Sequence, residues 1–146
     1  MLTRSNVGAK PIGHIYLDST ATIKDNSISA NLKFPNHYKL ADDLTVDGNI
    51  IVTGGMDLAG NNLIVENFTL QSSVLKINKG HLLCNGNMHL NNPYWYYTYI
   101  EMRYPEDRVV VNGNFVSENG NYYTMTDGIL EIKGDFEQKY KNIRAC

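Results

Sequence analysis

Charge is scarce in this sequence, and with it go several classes of function. Charged residues make up 19% of 146 and sum to −2. There is therefore no basic stripe of the kind that tracks a phosphate backbone or an anionic membrane, and no nucleic-acid partner is expected. No apolar run approaches the roughly 18 residues that a spanning helix requires, so membrane insertion is not expected either. Cysteine is nearly absent. Of the two, Cys84 lies in a strand-like pattern and Cys146 is the last residue, which excludes a disulfide scaffold. Runs of good helix formers are missing. The opening stretch MLTRSNVGAKPIGH lacks the apolar segment of a secretion signal, so the chain is expected to be an internal piece of a longer protein.

What the sequence does have is Gly (12), Tyr (10) and abundant Asn. Gly and Asn favour turns, and Tyr favours strands, which points to an all-β fold with many tight corners. Self-similarity then decides the architecture. LTVDGNIIV from Leu44, LIVENFTLQ from Leu63, LLCNGNMHL from Leu82, VVVNGNFVS from Val109 and LEIKGDFEQ from Leu130 align as one unit. Most copies read apolar, any, apolar, any, Gly-Asn, apolar, any, apolar. Alternation of period two buries one face of a strand. A corner of Gly and Asn, residues that tolerate positive φ, would turn the chain onto a second side. A third strand precedes each unit: Tyr38/Leu40, Met56/Leu58, Leu75/Ile77, Ile100/Met102 and Tyr123/Met125.

Three short strands per turn of about nineteen residues predict a short three-sided parallel β-helix of about five coils, roughly 24 Å tall, and right-handed by the crossover rule. Residues 38–138 form this solenoid. Residues 1–37 are expected to be an N-terminal cap or flanking strands, and 139–146 a C-terminal tail. Leu63, Val65, Phe68, Leu82, Cys84, Met88, Val109, Val111, Phe115, Leu130, Ile132 and Phe136 are expected in the core. Asn49, Asn67, Asn87, Asn114 and Asp135 share one corner, where stacked amides can bond to the rungs above and below.

Chemistry is hard to find. Parallel β-helices host polysaccharide lyases and hydrolases, and glycoside hydrolysis needs carboxyl groups roughly 5 to 9.5 Å apart. The candidate pairs Asp42/Asp43 and Glu106/Asp107 fall three coils apart, about 14 Å at the strand spacing, and read as solvated turn residues. Asp57 should face solvent. His81 and His89 flank Cys84, but alternation turns the thiol inward and both imidazoles outward, so no metal site is expected. No phosphate loop, dinucleotide fingerprint or Ser/His/Asp set is present, and no cofactor is implied.

The repeat is interrupted twice, both times between the same two strands. The first excess lies in NNPYWYYTY, Asn91 to Tyr99, and the second in ENGNYY, Glu118 to Tyr123. Insertions at one position of successive coils project from one edge of a solenoid. Tyr94, Trp95, Tyr96, Tyr97 and Tyr99 are thus expected beside Tyr122, either folded back on the solenoid flank as a satellite core or exposed as an aromatic cluster for sugar rings or a protein partner.

The segments HYKLADDLTVDGNIIV, MDLAGNNLIVENFTLQSS, IEMRYPEDRVVVNGNF and above all MTDGILEIKGDFEQ resemble repeat modules of large surface-associated proteins of Gram-positive anaerobic bacteria. The likeness covers Tyr38 to Gln138. It implies a β-solenoid segment of an extracellular or cell-surface protein and brings no catalytic residues with it. The expected function is accordingly a non-enzymatic structural or adhesive module. The alternatives are a self-assembling scaffold like the bactofilins, forming a homo-oligomer through its ends, and a polysaccharide-active enzyme.

Overall fold

A computed structural model describes residues 14–17, 26–92, 98–118 and 124–139. Every named element is a β-strand: β1 (His14–Tyr16), β2 (Ser27–Ile28), β3 (Asn31–Phe34), β4 (Tyr38–Lys39), β5 (Leu44–Val52), β6 (Met56–Asp57), β7 (Asn62–Gln71), β8 (Val74–Lys76), β9 (His81–Cys84), β10 (Met88–Asn91), β11 (Tyr99–Glu101), β12 (Arg108–Val111), β13 (Phe115–Glu118), β14 (Ile129–Ile132) and β15 (Phe136–Lys139). All pairings are parallel and join one turn to the next, giving a β-solenoid of about five turns. No helix long and apolar enough to cross a membrane occurs among the described residues.

The three sides follow the repeat. On the first, Leu44, Leu63, Leu82, Val109 and Leu130 stack in register. On the second, Leu32, Ile50, Phe68, Met88, Phe115 and Phe136 do so. On the third, β4, β6, β8 and β11 stack, and Met102 bridges to Met125. Inward side chains of the middle rungs are fully buried, among them Phe68, Leu75, Met88 and Phe115. The third side carries an alternating column outside, Lys39, Asp57, Lys76 and Glu101, in which opposite charges lie directly across neighbouring strands.

Three features differ from what the sequence predicts. First, Leu130 and Ile132 are only half-buried and Phe136 is 50% exposed. Among the described residues β14 and β15 have a strand neighbour on one side alone, so alternation there does not complete burial. Second, the segment expected as a cap or flanking strands already contains a rung where it is described. β2 pairs with β5 through Ser27 and Thr45, and β3 pairs with β5 through Leu32 and Ile50. Ala30 stands where four of the five later copies have Gly, which hides the corner motif.

Third, the corner glycines owe their place to proximity, not to positive φ. Gly48, Gly86, Gly113 and Gly134 are absent from the positive-φ residues, which include Gly55, Gly60 and Gly128 at other corners. A Cβ on Gly113 would lie 2.4 Å from Asn87 Oδ1 and 2.5 Å from the Gly86 oxygen. The rungs approach too closely here for any side chain.

The corner amides form a ladder with one sense of direction. Asn31 Oδ1 accepts from the Asn49 N–H at 2.9 Å. Asn67 Oδ1 accepts from Asn87 N at 2.7 Å, Asn87 Oδ1 from Asn114 N at 2.8 Å, and Asn114 Oδ1 from Asp135 N at 2.9 Å. Between them Asn67 donates Nδ2 to Asn49 Oδ1 at 2.9 Å. The side chains of Asn31, Asn67, Asn87 and Asn114 thus each satisfy a corner N–H that the strand ladder leaves over, while Asn49 takes the Asn67 amide instead.

Candidate functional site

The two insertions leave the solenoid at one corner, on adjacent rungs. β10 and β13 lie side by side, with Leu90 opposite Ser117, and both insertions lead to the third side, where Met102 meets Met125. Their roots are fixed. Thr98 is buried and its hydroxyl donates to the Asn91 oxygen at 3.1 Å, closing the first loop at its base. The Thr124 hydroxyl donates to the Ile100 oxygen at 2.6 Å and anchors the return of the second. Of the six expected site residues, Tyr94, Trp95, Tyr96, Tyr97 and Tyr122 lie outside the described residues. Tyr99 is the one described. It begins β11, pairs with Val74 and is half-buried, so its backbone belongs to the scaffold.

Of the carboxylates named as candidate acids, Glu106 is exposed, and Asp42, Asp43, Asp57 and Asp107 bond within the fold. Asp107 is 1% exposed, which corrects its reading as a solvated turn residue. Its Oδ1 accepts from Lys79 N at 2.6 Å, and its Oδ2 accepts from Arg103 N at 2.7 Å and Tyr104 N at 3.0 Å. A buried carboxylate with three amide donors is a fastening between two turns. Asp57 Oδ1 accepts from Ala59 N and from Asn78 Nδ2 one rung above. Asp43 Oδ1 accepts from Asn62 N at 2.7 Å. Asp42 accepts from Asp43 N and from Asn26 Nδ2.

Cys84 points inward between rungs, its thiol within 3.3 Å of the Glu66 oxygen and 3.2 Å of the Asn87 oxygen. Burial pushes its pKa up from 9.0 to about 11, so it stays a thiol. His81 is exposed, and His89 Nε2 lies 3.5 Å from Glu118 Oε2 on the outside of the coil. The three residues do not converge. Among the described residues no group of three or more His, Cys, Asp or Glu side chains is placed to hold a metal ion.

One surface feature escaped the sequence reading. Ile64, Leu83 and Val110 form an aliphatic column on the outside of the first side, edged by Asn62, His81 and Arg108. They line a shallow hollow of about 320 Å³. The signal was present in LIV, LLC and VVV, whose middle residue is apolar where alternation asks for a polar one. Arg108 is partly occupied by Glu131, 3.6 Å away.

No protein-family model matches the chain, and neither a curated protein nor a solved structure does.

Proposed function

We propose that this chain is a non-enzymatic structural module, a stiff solenoid spacer within a larger bacterial cell-surface protein. It presents the aromatic insertion around Tyr94–Tyr99, with Tyr122 beside it, to a glycan or a protein partner. The observation that carries the scaffold reading is the use made of its polar groups. The corner amides and the carboxylates of Asp43, Asp57 and Asp107 are committed to bonds between successive turns or rungs. The support for the binding role is positional: two insertions rooted at one corner of neighbouring rungs, the first holding the sequence's single Trp and four of its ten Tyr.

The test titrates the emission of Trp95 with cell-wall and plant polysaccharides, alongside a Trp95→Ala variant. The expected result is a saturable shift with a subset of the glycans, retention of the wild-type protein on the same glycans, and loss of that retention in the variant at an unchanged melting temperature. Absence of any shift and of any retention removes the glycan-binding role. Release of new reducing ends or unsaturated sugars from the same panel would overturn the non-enzymatic reading.

A further inference from the structure

The three sides of the solenoid differ on their outer faces. The third carries alternating charges, and the second carries Thr69, His89, Val116 and Glu137 in one column. On the first, Ile64, Leu83 and Val110 stack in register across three rungs, each only partly covered. A contiguous apolar column on a face that alternation gives to water marks an interaction surface. Beside it, next to the corner, runs a second column of exposed residues: Asp47, Glu66, Asn85, Asn112 and Lys133. Its charge passes from acid on the early rungs through two amides to base on the last. Among the described residues no ion pair within the chain engages Asp47, Glu66 or Lys133.

We infer that the outer face of the first side is a homodimer interface. Two copies pack face to face with their solenoids antiparallel, about a two-fold axis that runs along β9. The proposal stands apart from the spacer and ligand-binding reading. The insertions are rooted at the corner between the second and third sides, away from this face.

Charge complementarity selects a second copy as the occupant. A two-fold axis along β9 sets each column against itself and reverses the order of the rungs. Leu83 then meets Leu83, and Ile64 meets Val110 twice, so the aliphatic column closes on itself between two sheets about 10 Å apart. Asp47 meets Lys133 twice, and Glu66 meets the Asn112 amide. On the other flank Arg108, one nitrogen of which lies 3.6 Å from Glu131 Oε2, meets the Asn62 side chain. Asp43 against Ile129 and Thr45 against Glu131 fall at the rim, where the polar partner keeps its water.

The alternative face-to-face arrangement, with the axis along the solenoid, keeps the rungs level and exchanges the two flanks. It sets Asp47 against Asp43 and Lys133 against Ile129, so it gains no ion pair and adds a repulsion. The antiparallel arrangement is therefore the one that the charges favour. The face is about 24 Å tall and about 15 Å wide, and its pairing buries on the order of 1,000 Å² over both copies, the low end for a specific interface. Association should accordingly depend on concentration, and a symmetric contact of this kind is closed and stops at two copies.

Sedimentation equilibrium over a concentration series, with substituted variants, tests this. The intact chain should approach twice the mass of one chain as concentration rises. Leu83→Glu sets two carboxylates together on the axis and should abolish the dimer. Lys133→Glu sets a carboxylate against Asp47 in both halves of the interface and should weaken dimerisation about tenfold. Combining it with Asp47→Lys restores opposite charges and should restore the dimer. Within one copy these two positions lie four rungs apart, about 19 Å, so the rescue can only come from a second copy. All three side chains point outward, and the circular dichroism of each variant should match that of the intact chain. A monomer at every concentration, species larger than a dimer, or a dimer indifferent to Leu83→Glu or to Lys133→Glu each overturns the proposal. So does a double variant as weak as Lys133→Glu alone.

Discussion

The backbone N–H of Lys79 donates to Oδ1 of Asp107 over 2.6 Å, tying a corner of one rung to a turn 28 positions further along. Lys79 holds φ at 67°, a conformation that non-glycine residues adopt at a cost. The other carboxylate oxygen takes the N–H groups of Arg103 and Tyr104. Asp107→Ala leaves three donors without an acceptor and should lower stability by about 2 to 4 kcal/mol. Asp107→Asn keeps one acceptor oxygen and should lose about half as much. Urea denaturation of the two variants measures both.

The corner ladder makes a sharper distinction between amide and carboxylate. Asn87 uses its oxygen, as acceptor for Asn114 N, so Asn87→Asp should be nearly neutral, whereas Asn87→Ala should cost about 1 to 3 kcal/mol. Asn67 uses both atoms, donating to Asn49 Oδ1 and accepting from Asn87 N. Asn67→Asp loses that donor and turns a carboxylate oxygen toward Asn49 Oδ1. It should therefore destabilise clearly more than Asn87→Asp. Equal melting temperatures for the two Asp variants would remove the directional reading of the ladder.

Ser117 is fully buried on the inward column between Leu90 and Gln138, and its hydroxyl finds no partner among the described residues. An unsatisfied buried hydroxyl costs about 1 to 3 kcal/mol. Ser117→Ala should raise stability by about 1 kcal/mol, read as a higher urea midpoint at an unchanged slope. A lower midpoint would mean that the hydroxyl is bonded.

Cys84 carries a pKa raised by burial to about 11 from 9.0. The folded state therefore holds this proton more tightly than the unfolded chain does. The resulting contribution is complete below pH 9 and falls as the pH rises toward 11. In a Cys146→Ser background the native protein should resist a thiol reagent at pH 8 and react on unfolding. Its stability should decline more steeply between pH 9 and 11 than that of a Cys84→Ala, Cys146→Ser variant.

Much of the fold was legible because a solenoid repeats its instructions. Leu44, Leu63, Leu82, Val109 and Leu130 align by pattern and stack in register. What escaped the reading had physical causes. The rung at β2 and β3 was obscured because Ala30 replaces the corner Gly and the step to the next copy is 18 residues. Asp107 resembled a solvated turn residue because the donors it meets come from Lys79 and Arg103, which pattern alone does not bring together. The candidate site was legible only as a position. Both insertions are rooted where the spacing places them, while five of its six aromatic residues fall outside the described residues.

The ladder also makes the length of this protein a whole number. Each rung bonds only to the ones on either side, as in other one-dimensional arrays, and the 19 residues from Leu63 to His81 make one complete circuit. A tandem copy of that circuit would lengthen the molecule by about 4.8 Å and meet the same hydrogen-bonding partners above and below. Reach would then be set by counting, and genetic duplication of one circuit would act as the ruler.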